Sequence, residues 1–178
     1  MSKVYMIGDT HYGHRNITKY RPEFSSMRHH DEFVHSQVMS VSGKRNILWL
    51  LGDNFFEPHT VDYLRDYKKH FMHVNWVIGN HDTDKPHRVE ILKQIVREDL
   101  VHKIGSLFKV SGFWVSHHPM HKDELWGKKN IHGHVHTNTI RDSDYLNLSC
   151  DNLHNYVPAD LQYLKSLPLH MSLQVFGK

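Results

Sequence analysis

The chain has 178 residues, 39% of them hydrophobic and 23% charged, with a net charge of +3 when histidine is neutral. That length gives one domain over residues 1–178, able to bury roughly 70% of its unfolded surface, and so small a charge does not define a nucleic-acid binder. A single cysteine, Cys150, excludes an internal disulfide and a thiolate zinc cluster. The chain opens without an apolar signal core, and no run approaches 18 apolar residues. The expectation is a cytoplasmic protein with no membrane partner. Histidine is the outlier at 19 residues, and its spacing says more than its number.

Taken in chain order, residues 3–7 (KVYMI) form a strand-length apolar run that stops at Gly8-Asp9-Thr10-His11. Asp31 reads as the N-cap of a helix over 32–42, with Phe33, Val34, Val38 and Val41 on one face. NILWLL (46–51) stops at Gly52-Asp53-Asn54, and a second helix covers 61–71. HVNWVI (73–78) stops at Gly79-Asn80-His81-Asp82, followed by a third helix over 85–96 with Val89, Leu92 and Val96 facing inward. Strands alternating with helices predict a largely parallel first sheet.

In the second half, SLFKVSGFWVSHH (106–118) reads as a hairpin turning at Ser111-Gly112 and ending at His117-His118-Pro119. KKNI (128–131) stops at His132-Gly133-His134-Val135-His136. YLNLSC (145–150) and MSLQVF (171–176) are further strands, with a short helix after Pro158 between them. Trp49, Trp76 and Trp114 fall inside strands as core residues, while Trp126 reads as loop packing, with stacking on a base as the alternative.

Five polar clusters each follow a strand, and loops at the carboxyl ends of parallel strands converge on one edge. A donor set of imidazoles, carboxylates and one amide suits Mn, Fe, Zn or Ni rather than Ca or Mg. Seven such donors exceed what one ion takes, and fit two ions at roughly 3.5–4 Å that share a bridging carboxylate. In extended backbone His134 and His136 point the same way, two residues apart.

The ordered series Asp9-x-His11, Gly52-Asp53, Gly79-Asn80-His81-Asp82, His117 and Gly133-His134-Val135-His136 resembles the calcineurin-like metallophosphoesterase superfamily, in its compact bacterial and phage form. LNLSCDNLHNYVPADLQYL is similar to the usual tail of that superfamily. The resemblance implies an α/β fold, a four-layer αββα sandwich of two mixed sheets flanked by helices. It assigns Asp9, His11 and His136 to a first ion, Asn80, His117 and His134 to a second, and Asp53 to a bridge between them. In the HxP context His117 is preferred to His118 as the ligand. His81 becomes a general acid or orienting donor paired with a carboxylate, Asp53 before Asp82. His132 is not a ligand in the family and reads as packing or support.

The implied activity is phosphoester hydrolysis by water that two metal ions, manganese first and iron, zinc or nickel as alternatives, make acidic enough to attack at neutral pH. His14, Asn54 and His118 are candidate substrate-facing residues. Lys128, Lys129 and Arg15 read as a solvated face. The partner is a small phosphoester, a nucleotide among the candidates, with nucleic acid not favoured. A diester is preferred because no arginine clamp for a dianionic monoester stands out. The alternatives are a phosphomonoesterase, a nuclease of the same fold, or a scaffold that binds a protein partner without catalysis.

Overall fold

The computed structural model describes residues 2–138 and 140–167. Its first sheet is built from the apolar runs that open the chain. Strands β1 (Val4–Ile7), β2 (Gly43–Leu50) and β3 (Phe71–Val77) are mutually parallel, with Met6 opposite Trp49 and Leu48 opposite Val74. β4 (Lys103–Gly105) extends the sheet in parallel beyond β3, and β9 (Ala159–Asp160) closes the other edge antiparallel to β1. Burial rises along each strand toward its carboxyl end, where Met6-Ile7, Leu48 to Leu50 and Val74 to Val77 are all buried. Strands covered on both faces need such unbroken apolar runs rather than alternation.

The crossovers carry helices α2 (Met27–Ser40), α3 (Val61–His70) and α4 (Pro86–Arg97), with a single helical turn α1 (Ile17–Tyr20) before them and α5 (Leu161–Ser166) after β9. The second sheet runs in the order β5 (Leu107–Val110), β6 (Phe113–Ser116), β7 (Asn130–His132) and β8 (Tyr145–Asn147). β5 and β6 form the expected hairpin, and Ser111 and Gly112 both take positive φ (51° and 95°), as a two-residue hairpin turn of this hand requires. β6, β7 and β8 are parallel, so this sheet is mixed as well.

Val115, Ile131 and Leu146 point from the second sheet into the core shared with the first. On the opposite face, segment 117–129 with its short 3₁₀ turn covers the sheet, where Leu125 O accepts from Trp114 Nε1 and Met120 O accepts from Tyr145 OH. Between the sheets, Gly8 N donates to Leu148 O and Cys150 N donates to Gly8 O, at 2.8 and 2.9 Å. The αββα sandwich is thus the observed fold, with its fourth layer reduced to a loop and one turn.

The helices depart from expectation in two places. α2 starts at Met27, capped by Ser26 Oγ accepting from His29 N at 3.1 Å. Asp31 is therefore not the cap; it lies within the helix, buried, and its carboxylate accepts from Gly13 N. In α4 the stripe facing the core is Arg88, Ile91 and Ile95, while Val96 is 55% exposed, because a 3.6-residue repeat through Ile91 cannot also bury Val96. α1, β4 and β9 are too short for any periodicity and were not expected. The strand expected at 171–176 lies outside the described residues. Among the described residues no helix is long and apolar enough to cross a membrane.

Candidate metal centre

The polar clusters follow the carboxyl ends of β1, β2, β3, β6 and β7, and the two sheets bring those ends to one seam. The backbone there is unusual. Asp9, His11, Asp53, His134 and His136 all have φ between 50° and 70°, in the left-handed region. Non-glycine residues hold that conformation at a cost of about 1–3 kcal/mol each where the surroundings over-determine it, and such positions gather at functional sites. Asp53, for instance, is fixed because Asp82 sits in a bed of amides, accepting from Gly79 N, Asp53 N and Asn54 N at 2.7, 3.0 and 3.1 Å. Burial, and then the charge of Asp53, push the Asp82 carboxyl up to about 7.

The seam closes only because a glycine stands directly before Asp9, Asp53, Asn80 and His134. A Cβ on Gly79 would fall inside contact distance of Asp53 Oδ1, and one on Gly133 inside that of Asp9 Oδ2. Gly52, at φ 89°, would place a Cβ 2.5 Å from His117 Nδ1.

One group of donors is Asp9, His11 and His136, whose ligand atoms all lie within 4.8 Å of one another. Asp9 Oδ2 is engaged by His134 N (2.9 Å) and Ser149 Oγ (2.7 Å), whereas Oδ1 is buried with no partner. His11 Nε2 stands 4.0 Å from that oxygen and is likewise buried and unpartnered. Burial raises the Asp9 carboxyl above its ordinary value and drives the His11 imidazole well below its own. A buried carboxylate oxygen and a buried imidazole nitrogen that face each other with no hydrogen-bond partner suit a cation as the group that would satisfy both. His136 completes the group with its Nδ1 2.8 Å from Asp151 Oδ2, which leaves Nε2 free for a ligand.

The other donors gather around His117, which is 1% exposed. Its Nδ1 donates to Leu51 O at 2.8 Å, and its Nε2 lies 2.9 Å from Asn80 Oδ1 and 3.3 Å from Asp53 Oδ2. Three acceptor atoms therefore converge when the imidazole is neutral. Without a cation the arrangement holds only if His117 is protonated. Burial alone would lower its pKa, but Asp53 outweighs it and pushes His117 up to about 9. Asp9, Asp53 and His117 form one candidate ligand group and His117, His118 and His134 another, so His117 belongs to both. Asp9 belongs both to the first of these groups and to that of His11 and His136, so Asp9 and His117 link the donor groups.

His134 and His136 do not point the same way, contrary to the expectation from an extended backbone. The left-handed turn sends the His134 ring toward His117 and His118 (5.1 and 4.0 Å between centroids) and the His136 ring toward His11 (5.0 Å). His118 is exposed and lies tilted against the His134 ring, while the buried His117 alone of the two lies within 3.3 Å of Asp53 and Asn80.

His81 presents its backbone N–H to Asp53 Oδ1 at 2.8 Å, but its ring pairs with a different carboxylate. Nδ1 lies 2.8 Å from Asp84 Oδ2, and Arg88 holds Asp84 in turn at 2.9 Å. The partner expected for this ring, Asp53 or else Asp82, is therefore corrected to Asp84, since Asp82 is committed to backbone amides and Asp53 to His117. The His81 ring, with His11, His14, Phe56 and His136, lines a cavity of about 500 Å³. Asn54 is corrected as well. It is fully buried and accepts from Thr10 Oγ1, so it offers no surface to a substrate. His132 is buried against Tyr145, donates through Nδ1 to its neighbour's carbonyl, and is pushed down to about 4 by burial, as a neutral packing residue. Trp126 is 74% exposed and does not pack.

Four supporting residues escaped the sequence. Arg21, 2% exposed at its side chain, bridges Asp151 with two bonds of 2.7 and 2.9 Å and also reaches Asp9 O (2.8 Å) and His30 Nε2 (2.7 Å). Burial works against Asp151, but His136 and Arg21 hold its carboxyl well below the usual range. Ser149 and Asp84 complete the set. The cluster Ser149-Cys150-Asp151 after a strand was the one signal in the sequence that pointed here.

No family model matches this chain. It is 26% identical, over 94% of its own length and 92% of the relative's, to the uncharacterized protein MJ1445 of Methanocaldococcus jannaschii. The crystal structure of AQ665 from Aquifex aeolicus, a protein of unknown function, aligns with 94% of this chain and all of its own, at a TM-score of 0.69 and 22% identity. A partial overlap with the phosphopantetheinyl hydrolase PptH of Mycobacterium tuberculosis spans 67% of this chain and 42% of that one, at a TM-score of 0.36 and 18% identity. The AQ665 likeness establishes the fold. Fold and site together define an α/β two-sheet protein with histidine–aspartate clusters able to hold metal ions.

Proposed function

We propose that this protein is a binuclear metal-dependent phosphodiesterase, of the kind its motifs resemble. The observation that carries the reading is the convergence of His117 Nε2, Asn80 Oδ1 and Asp53 Oδ2 beside the unpartnered Asp9 Oδ1 and His11 Nε2. Asp9, His11 and His136 would hold one ion, Asn80, His117 and His134 the other, with Asp53 between them. Bound there, two such ions supply Lewis acidity toward phosphoryl oxygens and an acidified water at neutral pH.

The chain's own groups do the rest. With Nδ1 committed to Asp84, His81 has Nε2 left to face the cavity and give a proton to the departing oxygen, a contribution typically of about 10²–10⁴-fold. Asp84, itself held by Arg88, fixes the ring and its tautomer. His14 also lines the cavity. Of the two arginines that line the cavity, Arg21 is consumed by Asp151, His30 and the Asp9 carbonyl, and Arg88 spends its Nη1 on Asp84 and the His81 carbonyl, so neither is dedicated to clamping a dianion. That favours a diester over a monoester.

The test is metal analysis together with turnover. Protein loaded with Mn²⁺ and freed of excess should retain two ions per chain and hydrolyse bis-p-nitrophenyl phosphate faster than p-nitrophenyl phosphate. Metal-free protein without turnover overturns the reading, and faster monoester cleavage overturns the diester preference.

A further inference from the structure

The cavity beside the metal ligands does not end at Phe56. A second cavity of about 350 Å³ continues on the far side of that ring, and the two share His14, Phe56, Lys85 and Arg88 as walls. The inner one holds the donor side chains His11 and His136 and the proton donor His81. The outer one is lined by Arg15, Lys85, His87 and Arg88 against a single acid, Glu57, which already pairs with Arg15.

Two features of this cleft go beyond what the reaction proposed above uses, the side chain of Lys85 and the Nε of Arg88. Lys85 is exposed, stands at the N-cap of α4 with no cap bond from its side chain, and forms no ion pair among the described residues. Arg88 is only 7% exposed at its side chain, lies 3.8 Å over the Phe56 ring, and has its Nε buried without a partner. α4 carries no acidic residue in its first turn, so its positive end adds to the same field. At the rim of the inner cavity Tyr20 is 74% exposed, 5.6 Å from the His14 ring, as a bare aromatic face.

We propose that this cleft takes a nucleotide-type phosphodiester carrying a second phosphate, with the base on Tyr20 and the second phosphate among Lys85, Arg15 and His87. The inference deepens the phosphodiesterase reading and rests on it for the place of the first phosphate. An exposed aromatic beside a cationic pocket fits this chemistry, because any base stacks on a ring and any phosphate is drawn to lysine and arginine. A single charged contact is worth about tenfold in affinity. The weak overall charge does not oppose this, since the cations are local.

Isothermal titration of the protein as purified with thymidine 3′,5′-bisphosphate, thymidine 5′-monophosphate and a phosphorothioate-linked trithymidylate tests the idea. The bisphosphate should bind at least about tenfold tighter than the monophosphate. Lys85→Ala, which removes an exposed side chain that caps nothing, should bring the two within about twofold, and Tyr20→Ala should weaken both nucleotides but not inorganic phosphate. Equal binding of both nucleotides by the wild type, or a ratio that neither Lys85→Ala nor Arg15→Ala changes, overturns the subsite. Tighter binding of the trinucleotide identifies a strand as the source of the second phosphate, and binding no tighter than the bisphosphate identifies a dinucleotide-sized ligand. Nucleotide preference in protein that holds no metal would sink the phosphodiesterase reading and leave the subsite standing. Metal-dependent turnover without the preference would do the reverse.

Discussion

Asp9→Asn separates the metal-binding role of this residue from its packing. Asp9 is 0% exposed, and its Oδ2 already accepts from His134 N and Ser149 Oγ. An asparagine can keep both bonds through its oxygen and turn its amide toward the site of Oδ1, beside His11 Nε2. The substitution thus removes a buried charge, and the metal-free variant should lie within about 1 kcal/mol of the wild type or above it. The effect of metal should differ sharply. A ligand present at 100 times its dissociation constant stabilises the folded state by about 2.7 kcal/mol, which in a chain of this length raises Tm by about 5–11 °C. Thermal unfolding followed by circular dichroism, with and without Mn²⁺, should show that rise in the wild type and lose most of it in Asp9→Asn. An equal rise in both, at the same metal concentration, would refute the assignment of Asp9 as a ligand.

His81→Ala should retain the metal content of the wild type while losing about 10²–10⁴-fold in turnover of a diester with a poor leaving group, and less with p-nitrophenolate. Loss of metal alongside activity would contradict its role. Asp151→Asn should weaken metal binding about 10–100-fold by releasing the His136 ring, read as a shift in the midpoint of a metal titration. Tyr12→Phe leaves the buried Tyr67 hydroxyl without its 2.5 Å partner and should cost about 1–3 kcal/mol in urea unfolding. The double variant with Tyr67→Phe should recover part of that, and additive losses would show that the hydroxyls are not coupled. Burial holds His35 below the usual histidine range although Asp66 opposes it. The unfolded chain therefore binds more protons here, and stability falls as pH drops below about 6.5. His35→Gln should flatten the slope of unfolding free energy between pH 7.5 and 5.5, and an unchanged slope would exclude this residue as a cause.

The metal donors were legible in the sequence because each falls in a polar cluster that follows a strand, with Asp9, Asp53, Asn80 and His134 directly after a glycine, so their chemistry and their placement were written together. The parallel order of β1, β2 and β3 followed from unbroken apolar runs alternating with helical stretches. The residues that orient those donors were not legible, because the contact joins distant parts of the chain. Arg21 meets Asp151 across 130 residues, and nothing local to either predicts the other. Asp84 was hidden for a different reason. Two acids, Asp82 and Asp84, follow His81 within three residues, and only the backbone path decides that Asp82 binds amides while Asp84 meets the ring. The parity argument for His134 and His136 failed because it assumed extended backbone exactly where the chain coils to the left.

Because Gly8, Gly52 and Gly133 let the edges of the two sheets touch, neither sheet owns the centre. Each half of the molecule supplies an incomplete set of donors, and a methyl group anywhere along that line would pry both sets apart at once. The same tolerance of a few tenths of an ångström makes the junction a gauge. Substitutions that thicken the core, even far from the donors, should register first as weakened metal binding and only afterwards as lost folding.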